Sequence, residues 1–275
     1  MKAADFRYER PADLAAALAL MGDTERDVAA LAGGQSLMPM MNFRVAQPDV
    51  LVDLAGVEEM RGISLADGRA RIGAMTRYAE IERHATLLAA VPLMARALPF
   101  IAHSAIRNRG TLGGSVGLAD PAAEMPAVLC ALGAEVVVAG AGGERRVAAD
   151  DFFLGAYETA LEPGELIVAL DIPVARAGDR FGFHEVARRH GDYAMAGVAI
   201  ARADGAAPRI AFFAISDRPI RATAAEEALA EGAGLDAAIT KLSDLPAEAD
   251  LNASEPMKRH LAGVVLRRAW EEMSA

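Results

Sequence analysis

The sequence is poor in cysteine, in aromatic side chains and in positive charge. Its single cysteine, Cys130, excludes an internal disulfide, and it also excludes any iron–sulfur cluster or cysteine-rich zinc site held by this chain alone. The formal net charge is -10, and no basic run is longer than a pair of residues. Because binding to a phosphate backbone needs a basic face, we expect no nucleic-acid partner.

Long apolar runs are missing as well. No uninterrupted apolar stretch approaches the roughly 20 residues that a membrane-spanning helix requires. The first residues, Met-Lys-Ala-Ala-Asp-Phe, carry no apolar signal region. We therefore expect no transmembrane segment and a cytoplasmic location.

The composition that remains is typical of a folded protein with both helices and strands. Of the 275 residues, 53% are hydrophobic and 24% are charged, which argues against disorder. This length suits two cores better than one. A polar stretch from Arg176 to Arg180 contains Gly178, and we expect the domain boundary there, with domains at 1–175 and 178–275.

The first of two glycine loops is Ala32-Gly33-Gly34-Gln35-Ser36. It follows a predicted strand, Val28 to Leu31, and precedes a predicted helix, Leu37 to Asn42, for which Ser36 is the expected cap. Consecutive backbone N–H groups at a strand end can hold a phosphate without lysine or arginine, since glycine has no side chain to block the approach. A single Gly-Gly pair is also typical of a plain turn.

The second glycine loop is Thr111-Leu112-Gly113-Gly114-Ser115, and Asp120-Pro121 and Glu124 follow it. Two such loops suit an extended dinucleotide, with one loop at the phosphates and the other facing the ribityl chain and the ring. The spacing alone does not distinguish FAD from other ligands.

Alternating or short apolar runs bounded by turn residues predict the rest of the fold. We expect hairpins around Asp67-Gly68 and around Gly140 to Gly143. The predicted last helix is capped by Ser254 and has Met257, Leu261, Val264 or Val265, and Trp270 on one face. Further predicted strands are Phe6 to Glu9, Val50 to Leu54, Leu166 to Ile172, Phe181 to Ala187, Met195 to Ala201 and Arg209 to Ile215.

Three segments carry a family resemblance. They resemble, in order, the motifs of the FAD-binding (medium) subunit of the xanthine dehydrogenase and carbon monoxide dehydrogenase family, the molybdenum hydroxylases. The segments are Ala32-Gly33-Gly34-Gln35-Ser36-Leu37 with Leu51-Val52-Asp53-Leu54, Ile106 to Ser115 with Asp120 to Pro126, and Ala187-Arg188-Arg189-His190-Gly191-Asp192-Tyr193-Ala194.

The resemblance implies an α+β fold and a redox role. A PCMH-type FAD-binding domain, with lobes at roughly 1–57 and 58–175, would precede a smaller C-terminal domain with an antiparallel sheet and helices. FAD would take electrons from iron–sulfur clusters of a small partner subunit and pass them to NAD, a quinone or oxygen. The molybdenum cofactor would belong to a large partner subunit.

The resemblance also assigns cofactor contacts by position. Since the flavin performs the redox chemistry, no side chain is assigned a catalytic role. His184 stands where some relatives have a lysine that touches the cofactor, and Leu118 stands where many have histidine. The residues expected to contact FAD are Ala30, Leu31, Ala32, Gly33, Gly34, Gln35, Ser36 and Leu37 around the pyrophosphate, Thr111, Gly113, Gly114 and Ser115 on the flavin side, and Ile101, Asp120, Glu124, Leu161, His184 and Tyr193.

Two other functions stay open at this point. The chain could be a stand-alone FAD-dependent oxidase or reductase, or a non-catalytic assembly subunit that has lost FAD, although the intact glycine loops argue against the second. No metal site is expected: His184 and His190 are six residues apart, so one helix face would not present both.

Overall fold

The computed structural model describes residues 2–274. Within this range the strands form sheets of three, five, four and two strands, and helices cover their faces. The α+β class and the antiparallel C-terminal sheet that the sequence predicts are confirmed.

The N-terminal lobe is a parallel three-stranded sheet in the order β1-β3-β2. The central strand is fully buried, and it accordingly reads as an apolar run, Val-Leu-Val, ending in Asp53. Because β2 runs parallel to β3, its carboxyl end delivers the first glycine loop to one edge of the lobe. The elements are β1 (Arg7–Glu9), α1 (Leu14–Met21), β2 (Val28–Leu31), α2 (Leu37–Asn42), β3 (Val50–Asp53) and 3-10 turns at Leu54–Gly56 and Glu58–Met60.

The second lobe is built on an antiparallel five-stranded sheet in the order β4-β5-β10-β6-β7. The hairpin predicted at Asp67-Gly68 is present, and both turn residues have positive φ. The elements are β4 (Ile63–Ala66), β5 (Arg69–Gly73), α3 (Tyr78–Arg83), α4 (Ala85–Ala90), α5 (Pro92–Ala97), a 3-10 turn (Leu98–Phe100), α6 (Ser104–Arg107), α7 (Leu112–Leu118), α8 (Glu124–Leu132), β6 (Glu135–Gly140), β7 (Gly143–Ala148), α9 (Ala149–Phe152), β8 (Phe153–Gly155), β9 (Glu158–Thr159) and β10 (Leu166–Pro173).

The C-terminal part is an antiparallel four-stranded sheet in the order β11-β12-β13-β14. One face of this sheet packs against α12, while the other packs against α8 of the second lobe and shares its core. The elements are β11 (Arg180–Ala187), β12 (Ala194–Arg202), β13 (Arg209–Phe213), β14 (Ile220–Arg221), α10 (Thr223–Ala230), α11 (Leu235–Thr240), a 3-10 turn (Lys241–Asp244) and α12 (Glu255–Ser274).

Two local predictions were wrong. Ser36 precedes α2, but its side chain accepts no hydrogen bond, because its own backbone is already in the helical region. Met257, expected on the inward face of the last helix, is 49% exposed. The predicted Val265 is fully buried, and Leu261 and Trp270 pack against the same core. Ala262, Leu266, Ala269 and Met273 complete the inward face of α12.

Among the described residues, no helix combines the length and the apolar character that crossing a bilayer would need.

Candidate cofactor-binding site

A cavity of about 460 Å³ lies between the two glycine loops. Its volume falls in the range of roughly 300–1,000 Å³ that is typical of small-molecule sites. The predicted contact residues that line it are Ala30, Ala32, Gly33, Gly34, Gln35, Ser36, Leu37, Ile101, Thr111, Gly113, Gly114, Ser115 and Leu161. The structure therefore brings together two loops that are far apart in sequence.

The first loop offers free backbone donors to this cavity. Among the described residues, none accepts a hydrogen bond from the N–H groups of Gly33, Gly34, Gln35 and Ser36. The Gln35 side chain instead donates to the carbonyl oxygen of Gly33 at 3.1 Å, and Gly34 has a φ of 71°. A run of unpaired amides next to a cavity is an anion site built from the main chain.

The two loops touch through their glycines, which is why the cavity has its present width. A Cβ atom on Gly33 would lie 2.3 Å from the carbonyl oxygen of Arg109, which is backbone and has little room to move. A Cβ atom on Gly114 would lie 2.8 Å from Thr111 Oγ1 and 3.2 Å from Ala32 Cβ. Any side chain at either position would therefore push the loops apart.

The second loop differs from the first because its amides are already paired. Thr111 Oγ1 accepts a hydrogen bond from the Gly114 N–H at 3.1 Å and so caps α7. The N–H groups of Leu112 and Gly113 donate to the carbonyl oxygens of Thr76 and Ala74, at 3.0 and 2.8 Å. This loop therefore forms a fixed wall rather than a set of free donors.

Few charged side chains line the cavity. Of the described residues that line it, Glu165 alone is acidic and none is a lysine or arginine. Arg145 hydrogen-bonds the Glu165 carboxylate at 2.7 Å, and this contact lowers the pKa of Glu165. The negative charge of a pyrophosphate would therefore be met by backbone amides, as the sequence predicts.

Tyr78 adds a polar group that the sequence analysis did not identify. It lines the cavity and is 3% exposed, and its hydroxyl lies next to Ser115 without a well-formed hydrogen bond among the described residues. Burial raises the pKa of this hydroxyl, so it remains a neutral donor. A buried donor without a partner is unfavourable by itself, and a ligand in the cavity would satisfy it.

Other lining residues were not among the cofactor contacts expected from the sequence. Four methionines, which are flexible and adapt to irregular ligand shapes, contribute to the wall. They are scattered along the chain, so no motif or periodic pattern marks them. The residues are Met21, Met40, Met60, Met75, Ala29, Leu54, Ala74, Ile106, Gly110, Gly117, Leu118, Leu166 and Ile167.

Five of the predicted contact residues do not line this cavity: Leu31, Asp120, Glu124, His184 and Tyr193. His184 lies on the face of β11 that packs against α12, where its Nδ1 is 3.0 Å from Glu272 and its Nε2 is 3.3 Å from Arg268. Its position gives no support to a contact with the cofactor.

An acidic cluster lies where the second lobe meets the C-terminal sheet, and we define it as Asp120, Glu124 and Glu185. Burial, together with the charge of Asp120, raises the pKa of Glu124 to about 7. Burial, together with the charge of Glu124, raises the pKa of Glu185 to about 8. Tyr193 is 66% exposed and interacts with Asp120 at the open side of the cluster.

The residues present fit FAD. The unpaired amides of the first loop suit a pyrophosphate, the mostly apolar walls suit a flavin or an adenine, and the Tyr78 hydroxyl can donate to a ligand from the wall. The glycines at the contact of the loops exclude side chains that would fill the space.

Comparison with known proteins adds independent findings. Residues 4–175 match the model of the FAD binding domain in molybdopterin dehydrogenase, and residues 181–273 match that of the CO dehydrogenase flavoprotein C-terminal domain. The chain is 39% identical to the caffeine dehydrogenase subunit beta of Pseudomonas sp. (strain CBB1), over 93% of this chain and 86% of that protein.

Solved structures give the same result. Carbon monoxide dehydrogenase from Hydrogenophaga pseudoflava, in a form lacking the Mo-pyranopterin moiety, contains a chain that matches with a TM-score of 0.96 and 36% identity, over 100% of this chain and 99% of that one. Quinoline 2-oxidoreductase from Pseudomonas putida 86 matches with a TM-score of 0.93 and 36% identity, over 100% and 98%.

Proposed function

The chain belongs to the family of FAD-binding subunits of molybdenum hydroxylases, and from this premise we propose that it relays electrons from iron–sulfur clusters of a partner subunit, through FAD, to an external acceptor. FAD supplies the redox chemistry, because it accepts electrons one at a time and can give them up singly or as a pair. The chain itself binds and orients the cofactor and excludes water from it.

The observation that carries the proposal is the row of unpaired amides from Gly33 to Ser36 beside the cavity. We propose that these amides hold the pyrophosphate, that the paired second loop supports the flavin side, and that Tyr78 donates to the cofactor. Leu31, Asp120, Glu124, His184 and Tyr193 lie outside the cavity walls, and the proposal does not depend on them.

The same proposal covers the division of the chain into two units, its partner subunits, the electron acceptor and the location. We propose an FAD-binding unit at 1–175 and a C-terminal unit at 178–275, supported by family matches that end at 175 and resume at 181. The chain would act as the medium subunit beside a large molybdopterin-binding subunit and a small iron–sulfur subunit. NAD, a quinone or oxygen would be the acceptor, and the cytoplasm the location.

An absorbance spectrum tests the proposal. The purified chain, incubated with FAD and then desalted, should retain a flavin spectrum near one equivalent per chain. An organic substrate should not reduce the bound flavin, seen as bleaching of its absorbance, until the iron–sulfur and molybdenum subunits are added. Failure to retain any flavin would contradict the proposal, and bleaching by substrate without partners would favour a stand-alone oxidase or reductase.

A further inference from the structure

Glu185 is a buried carboxylate without a complete set of partners. The residue is 8% exposed, and its Oε2 atom has no hydrogen-bond partner among the described residues. Removing a carboxylate oxygen from water without compensation is unfavourable, and such a group is retained in a fold only at a cost in stability. Its position therefore calls for a functional explanation.

The strand register explains why Glu185 faces inward. On β11 it shares a face with Phe183, whose ring is 5.3 Å from that of Phe100 in the second lobe. Across the sheet, Glu185 pairs with Gly197, and the ring of Phe213 covers this glycine so closely that a Cβ atom there would be 2.1 Å from it. Glu185 thus lies on the face of the sheet that carries Phe183 and Phe213, and it is largely removed from water.

Glu124 connects this carboxyl group to the cofactor site. It is the first residue of α8, the helix that packs against β12 and β13, and its charge acts on Glu185 on one side. On the other side its charge acts on Tyr78, which lines the cavity. Glu124 therefore lies between Glu185 and a residue of the cavity wall.

No positive charge compensates the pair. The ionisable groups that interact with Glu124 or Glu185 are Asp120, Tyr78 and Tyr193, and Tyr157 interacts with Asp120 and Tyr193 in turn. Among the described residues, no lysine, arginine or histidine stabilises either carboxylate. Two buried carboxylates without a positive partner are less unfavourable when one of them binds a proton and becomes neutral.

Electrons that leave an iron–sulfur cluster arrive without protons, so negative charge accumulates at the cofactor unless the protein compensates it. We propose that Glu124 and Glu185 form a proton-uptake pair, in which Glu185 takes a proton from solvent when electrons reach FAD and returns it when the acceptor removes them, while Glu124 couples Glu185 to the cofactor site. An O–H bond forms on the carboxylate and breaks again. The electrons pass from the reduced cluster to FAD and then to the acceptor.

This inference rests on the proposed function, because it requires FAD in the cavity. Both carboxyl groups titrate at about pH 7 to 8, where a nearby negative charge changes their proton occupancy most. Tyr193 and Asp120 border the open side of the cluster and offer the route from solvent.

Infrared difference spectroscopy of the FAD-loaded chain tests the inference without partner subunits. Dithionite supplies the electrons, and spectra of the reduced and oxidised forms are subtracted at pH 8. In the wild type, reduction should produce the carbonyl band of a protonated carboxyl group, and this band should shift in D₂O. Glu185→Gln should lose the band, whereas the control Glu227→Gln, an exposed glutamate on α10, should keep it.

A second measurement follows the midpoint potential of bound FAD from pH 6 to 9. The potential should fall more steeply with pH in the wild type and in Glu227→Gln than in Glu185→Gln. A wild-type protein that retains FAD but shows no carboxyl band, or a band that survives in Glu185→Gln, would overturn the proton-uptake pair alone. A chain that retains no FAD would overturn the proposed function as well.

Discussion

Individual glycines decide whether the cofactor site can exist. Gly33 and Gly114 lie where the two loops meet, and each excludes a side chain for a different steric reason. At Gly33 the obstacle is the main chain of Arg109, which cannot rotate away as a side chain could. The site is therefore specified by the absence of Cβ atoms as much as by the presence of donors.

We predict that Gly33→Ala lowers the free energy of unfolding by about 1–3 kcal/mol, since overpacking against a fixed carbonyl group shifts the backbone. FAD retention should fall at least tenfold, because the loops separate. Chemical denaturation and desalting with FAD check the two effects.

Gly142→Ala is the matched control, because a Cβ atom there meets nothing within 4 Å. It should leave both stability and retention unchanged. Full FAD retention in Gly33→Ala would contradict the assignment of the loops.

A second prediction concerns Glu185 in the FAD-free chain. Its folded pKa of about 8 lies above the ordinary value of 4.5, so the folded state holds a proton that the unfolded state has released. Stability contributed by the protonated group is complete below pH 4.5 and is lost as pH rises toward 8. Glu185→Gln remains neutral, so its stability relative to the wild type should increase over this interval, by on the order of 3 kcal/mol.

Thermal or urea unfolding of both proteins between pH 4.5 and 9 measures this difference. A stability difference that does not change with pH would show that Glu185 is ionised in the folded state at neutral pH.

The sequence located the loop residues because glycine pairs at strand ends leave few structural alternatives. It did not identify Glu185, one position beyond His184. Both faces of β11 are covered, one by α12 and the other by the second lobe, so no alternation of polar and apolar residues marks which side chain points inward. Only the folded sheet, in which Glu185 lies on the same face as the buried Phe183, shows that the Glu185 side chain points inward.

At the scale of elements, the caps of α2 and α7 differ, and the difference matches the roles of the two loops. Thr111 is 3% exposed and its Oγ1 caps α7, whereas Ser36 makes no such bond at α2. The second loop is capped from within the chain. The first loop, which we propose binds the pyrophosphate, keeps its amides free.

We predict that Thr111→Val, which keeps the shape and removes the acceptor, lowers the free energy of unfolding by about 1 kcal/mol. Ser36→Ala should change the stability of the FAD-free chain by less than about 0.5 kcal/mol, since no cap is lost. Urea denaturation of both variants without FAD makes the comparison. Equal losses would mean that the two loops are not built differently.

Strands were easier to predict than helices in this chain. Apolar runs between glycine, proline and charged residues marked β2, β3 and β10 to within one or two residues. In contrast, α8 is buried on all sides, so its sequence has no amphipathic period that would distinguish a helix from a loop or a strand. For α12, the apolar pattern located Val265 on the inward face but placed the exposed Met257 there as well.

At the scale of the molecule, one buried core connects the second lobe to the C-terminal sheet. Arg209 of β13 reinforces this contact: it donates to the carbonyl oxygen of Cys130 at 2.7 and 3.2 Å and to Asp150 at 2.7 Å. Cys130 and Asp150 belong to α8 and α9, so this single side chain links both helices to the sheet. The acidic cluster lies at the same interface.

We predict that Arg209→Met lowers the free energy of unfolding by about 1–3 kcal/mol, because a charged donor to a buried carbonyl oxygen is lost. The control is Arg267→Met, which breaks only an exposed ion pair with Asp236 and should cost less than about 1 kcal/mol. Denaturation curves compare the two. A loss for Arg209→Met no larger than the control would mean that the interface does not depend on this contact.

The polar segment around Gly178 lies between two differently patterned regions, and for this reason the sequence predicts a division into a cofactor unit and a C-terminal unit. The close packing of the C-terminal sheet against the second lobe could not be predicted from the sequence. Phe183 and Phe213 look like ordinary strand residues there, and only the folded sheet brings them against the second lobe.

A crystal structure of the chain loaded with FAD tests the central claim most directly. We expect both phosphates of the pyrophosphate beside the first loop, with phosphate oxygens within about 3.2 Å of backbone nitrogens between Gly33 and Ser36. A pyrophosphate held elsewhere, or held mainly by lysine or arginine side chains while these four amides stay unbonded, would contradict the account.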